Sequence, residues 1–151
     1  MHYREALPSD FPAMMVVRLA VRENQLSDPS LVTEAHYLTI LHNGGKGWIC
    51  EADGRLVGFS IVDMKHRNIW ALFVDPAYEK KGIGRRLHDL MLDWSFGQPI
   101  DRLWLGTEPG SRADAFYEKA GWVKAGTQPN GEVRYEMTKT RWSEVRRGVC
   151  I

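Results

Sequence analysis

The sequence contains 151 residues, of which 44% are hydrophobic and 26% are charged, as in an ordinary globular protein. A chain of this size fits one domain, so we expect residues 1–151 to fold around a single core without disulfide or metal support. Twenty basic and nineteen acidic residues leave a formal charge of +1. This balance provides no general basic surface for nucleic acid or for an anionic membrane.

The two cysteines, Cys50 and Cys150, are far apart, and neither belongs to a CxxC pair. A disulfide bond between them is one possibility, but two free thiols in a reducing compartment fit the sequence better. The first residues lack the apolar stretch of a secretory signal, and no apolar run reaches the ~18–20 residues that cross a bilayer. We therefore expect a cytoplasmic protein.

Two helices are predicted after a short strand at residues 3–6. The first begins at residue 9 or 10 and runs to about Glu23. The second begins at Asp28-Pro29, a cap followed by a proline, and ends at Asn43-Gly44-Gly45. Its apolar residues at helical spacing are Leu31, Ala35, Leu38 and Leu41.

Three strands are predicted next, at 48–52, 56–64 and 69–74. Asp53-Gly54 between the first two is a typical two-residue hairpin turn. The third strand is apolar at every position, so we expect it to be buried on both faces and central in the sheet.

The rest of the chain alternates helices and strands. The predicted segments are a helix at 83–96, a strand at 102–106, a helix at 112–120, and a last hairpin of strands at 122–125 and 133–140. A strand, a helix and a strand in succession favour a parallel pair with a right-handed crossover. We expect an α/β fold with a mixed sheet of six or seven strands, flanked by about four helices. The tail after residue 140 has no clear periodicity.

The segment from Glu79 to Arg86 gives the clearest indication of a functional site. Gly82 and Gly84 allow the backbone to approach an anion closely, and the N-terminus of the next helix adds partial positive charge. Its cations are Lys80, Lys81, Arg85 and Arg86. The segment is equipped to hold a pyrophosphate, although a plain tight turn with solvated lysines stays open. It matches neither the P-loop nor the dinucleotide fingerprint.

Residues 74–87 resemble motif A of the GNAT superfamily, the acyl-CoA-dependent N-acetyltransferases, usually written Q/R-x-x-G-x-G/A. Residues 112–122 resemble the late helix of the same family, N-x-x-A-x-x-F-Y-x-K-x-G-F/W. The order of the predicted elements also fits this family. Two positions depart from the patterns, since Glu79 stands where Gln or Arg is usual and Gly110 stands where Asn is usual.

The resemblance implies a single GNAT-like domain that transfers acetyl from acetyl-CoA to a primary amine of a small molecule or peptide. The amine would attack directly in a ternary complex, with no metal. Backbone amides around Phe73 and Val74 would donate to the carbonyl oxygen and hold pantetheine. The implied cofactor-binding residues are Leu72, Phe73, Val74, Lys80, Lys81, Gly82, Ile83, Gly84, Arg85 and Arg86.

Tyr117 matches the tyrosine of the late motif, which makes it the candidate general acid for the departing thiolate. A tyrosine that merely packs against Phe116 stays open. Glu108 is the first candidate for the base, Glu51 and Asp63 are the next, and a water relay would need none of them.

The acceptor is expected between the early helices and the hairpins, a region that holds Met14, Met15, Tyr37, Trp48 and Trp70. His36 and His42 are expected at the surface, and no histidine spacing indicates a metal site. A non-catalytic acyl-CoA-binding module stays open as an alternative function. The sequence leaves the oligomeric state open, a homodimer included.

Overall fold

The computed structural model of the chain describes residues 1–21 and 33–148. Two compact units divide the chain, Met1–Ser95 and Phe96–Ile151. Three predicted features lie outside the described residues. These are the end of the first helix at Glu23, the start of the second at Asp28-Pro29 and Leu31, and Cys150.

The first unit contains four antiparallel strands in the order β1-β2-β3-β4. Their bounds are β1 His2–Glu5, β2 Lys46–Ala52, β3 Arg55–Asp63 and β4 Asn68–Val74. Asp53 and Gly54 between β2 and β3 both have positive φ, 52° and 77°. This is the conformation of a type I′ turn, so the predicted hairpin is confirmed.

Three α-helices belong to the first unit, α1 Phe11–Ala20, α2 Glu34–His42 and α3 Ile83–Ser95. The side chain of Thr33 caps α2 by accepting a hydrogen bond from the amide of His36 at 3.2 Å. The buried residues of α2 are Tyr37 and Ile40, whereas Ala35 and Leu38 are exposed. The apolar spacing therefore indicated a helix correctly, but of its described residues only Leu41 packs against the core.

Helix α3 packs closely on β3 because residue 58 is a glycine. A Cβ atom at Gly58 would lie 3.1 Å from Leu87 Cδ1 and 3.2 Å from Ile83 Cγ2. Both of these side chains belong to the first two turns of α3 and are buried. The contact fixes the N-terminus of α3, and with it the end of the preceding loop, against the sheet.

Strand β4 is less buried than the sequence predicts. Ile69 and Ala71 are buried, but Trp70, Leu72, Phe73 and Val74 are only half-buried. The expectation of full burial at every position was wrong, and two of the half-buried residues, Trp70 and Phe73, line a cavity. Cys50 on β2, in contrast, is completely buried.

In the second unit, β7 lies between β5 and β6 and is antiparallel to both. The bounds are β5 Arg102–Thr107, α4 Arg112–Lys119, β6 Val123–Thr127, β7 Val133–Thr138 and α5 Lys139–Arg146. Helix α5 is absent from the prediction. Thr138 ends β7 and caps α5, since its hydroxyl accepts a hydrogen bond from the amide of Arg141 at 3.1 Å.

The described residues contain seven strands and five α-helices, so the predicted α/β class and strand number are confirmed. Within residues 1–21 and 33–148, the structure has no helix that is long and apolar enough to cross a membrane.

Candidate active site

The loop between β4 and α3 has an unusual backbone. Lys80 and Gly82 both have positive φ, 61° and 79°. A lysine in this conformation is strained, and such strain is concentrated at functional sites. A Cβ atom at Gly82 would meet no atom within 4 Å, so the glycine serves the backbone conformation and an open approach rather than packing.

Helix α3 begins directly after this loop and directs unpaired amides into it. The first helical hydrogen bond joins the amide of Arg86 to the carbonyl of Gly82 at 3.1 Å. The amides of Ile83, Gly84 and Arg85 therefore have no partner within the helix, as at any helix N-terminus. No acidic residue lies in this first turn. The geometry fits a bound diphosphate group.

The cations of the loop are not equivalent. Lys80 and Lys81 are exposed beside the strained turn. Arg85 already pairs with Asp89, with 3.1 Å between Nε and Oδ1. The guanidinium of Arg86 lies 5.9 Å from the centre of the Tyr3 ring. The two lysines are therefore better placed than the two arginines to neutralise an anion at the turn.

Two contacts fasten the start of the loop to the β2–β3 hairpin. The Tyr78 hydroxyl donates a hydrogen bond to Asp53 Oδ2 at 2.6 Å, and Arg55 pairs with Asp75 at 3.1 Å. Asp75 also accepts a hydrogen bond from the amide of Ala77 at 2.9 Å. The loop is thus held at its beginning by the hairpin and at its end by α3.

The register of β3 and β4 decides which β4 amides are available. The amide of Asp75 donates to the carbonyl of Val57 at 2.8 Å, and Phe59 is opposite Phe73. Because hydrogen-bonded pairs alternate in an antiparallel ladder, the amide of Phe73 also faces β3. The amides of Leu72 and Val74 point away from β3. Among the amides around Phe73 and Val74 that the sequence predicts as donors, those of Leu72 and Val74 therefore suit the role better than that of Phe73.

A cavity of about 110 Å³ lies between α1, β3 and β4. Its lining residues include Phe11, Met14, Met15, Arg18, Phe59, Trp70 and Phe73. Arg18 is its charged member, with its guanidinium carbon 4.3 Å from the centre of the Phe73 ring. Arg18 is not among the site residues predicted from the sequence, although a lone arginine in the otherwise apolar α1 is a local signal that its side chain has a special role.

Only part of the expected acceptor region lines this cavity. Met14, Met15 and Trp70 do. Tyr37 is completely buried and donates a hydrogen bond from its hydroxyl to the carbonyl of Leu7 at 2.9 Å. Trp48 is buried against Trp94, with 5.7 Å between ring centres. These last two residues are part of the core.

Tyr117 lies on α4 in an aromatic cluster and is only 7% exposed. Its ring centre is 5.3 Å from that of Phe116, 5.7 Å from that of Trp122 and 6.3 Å from that of Tyr135. Burial raises the pKa of Tyr117 well above its ordinary value. The Tyr117 ring therefore packs against Phe116, as the alternative interpretation expects. Its role as the general acid stays a prediction.

The candidate bases differ in their surroundings. Glu108 is exposed directly after β5, and its carbonyl accepts hydrogen bonds from the Ser111 amide and hydroxyl. Glu51 pairs with Arg4 at 3.2 Å, and Asp63 pairs with His66 at 2.8 Å. The identity of the base, with Glu108 as the first candidate, stays a prediction.

Gly110, the first departure from the family pattern, has a backbone conformation that the usual asparagine could also adopt. Its φ is 74°, and its amide donates a hydrogen bond to Asp114 Oδ2 at 2.9 Å. Asparagine tolerates this left-handed conformation better than most residues do. The other departure, Glu79, is half-buried at the end of the short 3₁₀ helix Pro76–Tyr78.

The histidines do not form a metal centre. Within the part of the chain that the structure describes, no group of three His, Cys, Asp or Glu side chains could hold a metal ion. His36 and His42 are exposed on α2, as expected.

The chain is similar to known proteins in sequence and in fold. The sequence profile of the acetyltransferase (GNAT) family matches residues 11–122. The chain belongs to this family. The match includes α1, the loop after β4, and Tyr117.

One curated relative of this GNAT chain is the mycothiol acetyltransferase of Beutenbergia cavernae. The two are 33% identical over 113 residues, which is 74% of this chain. The chain spans only 35% of the length of that relative.

Solved structures show the same fold. An acetyltransferase of the GNAT family from Staphylococcus aureus Mu50 has a TM-score of 0.79 at 19% identity, covering 91% of this chain and 98% of that chain. The PaiA N-acetyltransferase from Thermoplasma acidophilum, crystallised in complex with coenzyme A, has a TM-score of 0.76 at 15% identity, with the same two coverages. The predicted GNAT-like fold is confirmed.

Proposed function

We propose that this GNAT chain transfers the acetyl group of acetyl-CoA to the primary amine of a small molecule or peptide. The amine attacks directly in a ternary complex, with acetyl-CoA supplying the activated thioester. The observation that carries the proposal is the loop at Lys80 and Gly82. There a strained backbone, two exposed lysines and the free amides at the start of α3 converge on one anion-sized position.

The proposal assigns a role to each group of the candidate site. The amides of Ile83, Gly84 and Arg85 bind the diphosphate, and Lys80 and Lys81 neutralise its charge. The amides of Leu72 and Val74 bind pantetheine and stabilise the carbonyl oxygen as it gains negative charge. Tyr117 donates a proton to the thiolate that leaves.

Glu108 is the base that we propose for the acceptor ammonium group. It stands exposed at the end of β5, so it can receive a proton and pass it to water. We expect Glu108→Gln to lower kcat/KM at pH 7 by about 10²-fold, the lower range for general-base catalysis. Glu132→Gln is a control from the neighbouring turn. Full activity of Glu108→Gln would indicate a water relay instead.

The decisive experiment measures two quantities on the purified chain. Calorimetry measures binding of acetyl-CoA, and a thiol reagent measures release of CoA in the presence of polyamines, amino acids, aminoglycosides and peptides. We expect binding, together with thiol release that depends on an amine. Binding without release for any amine would favour the non-catalytic acyl-CoA-binding module. Absence of binding would overturn the proposal.

Three further expectations belong to this proposal. The whole chain acts as one acetyltransferase domain, it works in the cytoplasm, and its partners are amines rather than nucleic acid or membrane. A homodimer stays a prediction that sedimentation analysis would test.

A further inference from the structure

Arg18 is a half-buried cation that lines an apolar cavity. Its Nη1 atom is buried and has no hydrogen-bond partner among the described residues. Its guanidinium carbon lies 4.3 Å from the Phe73 ring centre, and the cavity around it is lined by apolar residues such as Met14, Phe59 and Trp70. Burial lowers the pKa of Arg18, although an arginine remains protonated in proteins. A buried donor without a partner lowers the stability of the folded state. A ligand that accepts a hydrogen bond from Nη1 would remove this cost.

Arg134 provides an instructive contrast. Its guanidinium lies at nearly the same distance over an aromatic ring, 4.4 Å from the centre of Trp104. However, Arg134 also pairs with the carboxylate of Glu136 at 3.0 Å. The described surroundings of Arg18 include the ring but lack the carboxylate.

We propose that Arg18 binds a carboxylate of the acceptor, so that the acceptor is an amine that also carries a carboxylate on a small apolar skeleton. This inference rests on the proposed function and specifies its substrate class. The planar fork of a guanidinium matches a carboxylate with two parallel hydrogen bonds. The aromatic and methionine walls match a carbon skeleton, and about 110 Å³ accommodates a small organic group rather than a single water molecule.

The position of the cavity agrees with this assignment. Phe73, whose ring lies beneath the guanidinium, is on β4 between Leu72 and Val74. The amides of these two neighbours are the ones that point away from β3. A carboxylate held by Arg18 therefore places the acceptor beside the strand that we propose to hold the thioester carbonyl.

The test compares acceptors that differ only in the carboxylate. Leucine, methionine and phenylalanine are each compared with the corresponding amino acid amide and decarboxylated amine. The kcat/KM of every acceptor is measured for the wild type, for Arg18→Gln and for Arg134→Gln. Because each acceptor is compared across proteins, differences in the reactivity of the amines cancel.

We expect Arg18→Gln to lower kcat/KM for at least one amino acid by about 10- to 100-fold, mainly through KM, as loss of a charge-assisted hydrogen bond would. The amides and amines should change less than twofold, and Arg134→Gln should change no acceptor. Equal losses for all acceptors, or no loss for any amino acid, would overturn the carboxylate subsite. Thiol release with simple amines that persists in Arg18→Gln would leave the proposed function intact, whereas absence of acetyl-CoA binding would refute the function itself.

Thermal unfolding supplies a second readout that needs no acceptor. Arg18→Met removes the unpaired Nη1 donor and keeps an apolar chain in its place, so the unfolding midpoint should rise by about 2–4 °C. A midpoint that does not rise would mean that the guanidinium is already satisfied within the protein, by the Phe73 ring or by another group, and the proposal would fail. Unchanged acetyl-CoA binding by Arg18→Met shows that the variant is folded.

Discussion

Tyr117 is the residue on which the proposed chemistry depends most. Its phenol is buried among three aromatic rings, and burial raises its pKa above the ordinary value near ~10. The phenol is therefore protonated over the whole range in which the enzyme would work. We expect Tyr117→Phe to lower kcat by about 10²–10⁴-fold while KM for acetyl-CoA stays within about twofold.

Tyr135→Phe is the matched control, because it alters the same cluster. Tyr135 donates a hydrogen bond from its hydroxyl to Asp114, so its loss should lower stability without a comparable effect on kcat. Steady-state kinetics of both variants checks this prediction. If Tyr117→Phe turns over as fast as the wild type, Tyr117 only packs the cluster.

His88 gives the protein a dependence of stability on pH. It is 0% exposed on α3, and burial lowers its pKa, although the Asp89 carboxylate 2.8 Å from Nδ1 opposes the shift. The unfolded state therefore takes up the proton first. The stabilisation is complete above the unfolded pKa of about 6.5 and is lost as the pH falls towards the lower pKa of the folded state.

We expect the unfolding midpoint of the wild type to fall between pH 7.5 and pH 5.5 more steeply than that of His88→Leu. His36→Leu, at an exposed position on α2, is the control and should keep the slope of the wild type. Differential scanning calorimetry at several pH values measures this. Identical slopes for wild type and His88→Leu would show that His88 does not contribute.

At the scale of elements, the loop before α3 can be tested through its glycines. Gly82 and Gly44 have similar positive φ values, 79° and 85°, and a Cβ atom at either position would have no neighbouring atom within 4 Å. Alanine at either position should therefore lower the free energy of unfolding by a similar amount, about 1–2 kcal/mol. Only Gly82→Ala should also weaken acetyl-CoA binding, by about tenfold, because the amides of α3 would shift.

Calorimetric titration of both variants with acetyl-CoA makes the comparison. Equal affinities of Gly82→Ala and Gly44→Ala for acetyl-CoA would show that the turn at Gly82 does not contribute to binding of the diphosphate.

The sequence predicts those elements whose signals are local. The β2–β3 hairpin follows from Asp53-Gly54, and α3 follows from its apolar spacing. Helix α5 was missed because only Trp142 and Val145 of its eight residues are buried, which leaves a weak period. The direction of the Phe73 amide depends on the register with β3 and cannot be read from β4 alone.

In the candidate site, too, features with a local sequence signal were predictable, whereas features that depend on distant residues were not. The loop that we propose to bind the diphosphate is continuous in sequence, so its glycines and cations could be noticed from the sequence alone. The contact between Arg18 and Phe73 joins residues far apart in the chain, so no local pattern could reveal it. Burial of His88 likewise depends on how α3 rotates against the sheet.

For the whole chain, the formal charge of +1 provides no general attraction for acetyl-CoA, so the binding that we propose depends on the charges of the loop. We expect acetyl-CoA to raise the unfolding midpoint, since a ligand that binds the folded state stabilises it. Raising the salt from 0.1 M to 1 M shortens the screening length from about 10 Å to about 3 Å and should weaken binding several-fold.

Acetyl-pantetheine, which lacks the diphosphate, is the control ligand for this salt titration. Its binding should change little with salt. If salt affects both ligands equally, the lysines of the loop do not supply the attraction.

The complete burial of Cys50 on β2 turns this residue into an internal reporter. Burial raises the pKa of its thiol, and the thiolate is the form that reacts with alkylating reagents. In a Cys150→Ser background, a maleimide would modify Cys50 only in molecules in which the structure packed around β2 has transiently opened. The rate at which Cys50 is modified therefore reports how often the protein opens, and the measurement requires no fluorophore or isotope.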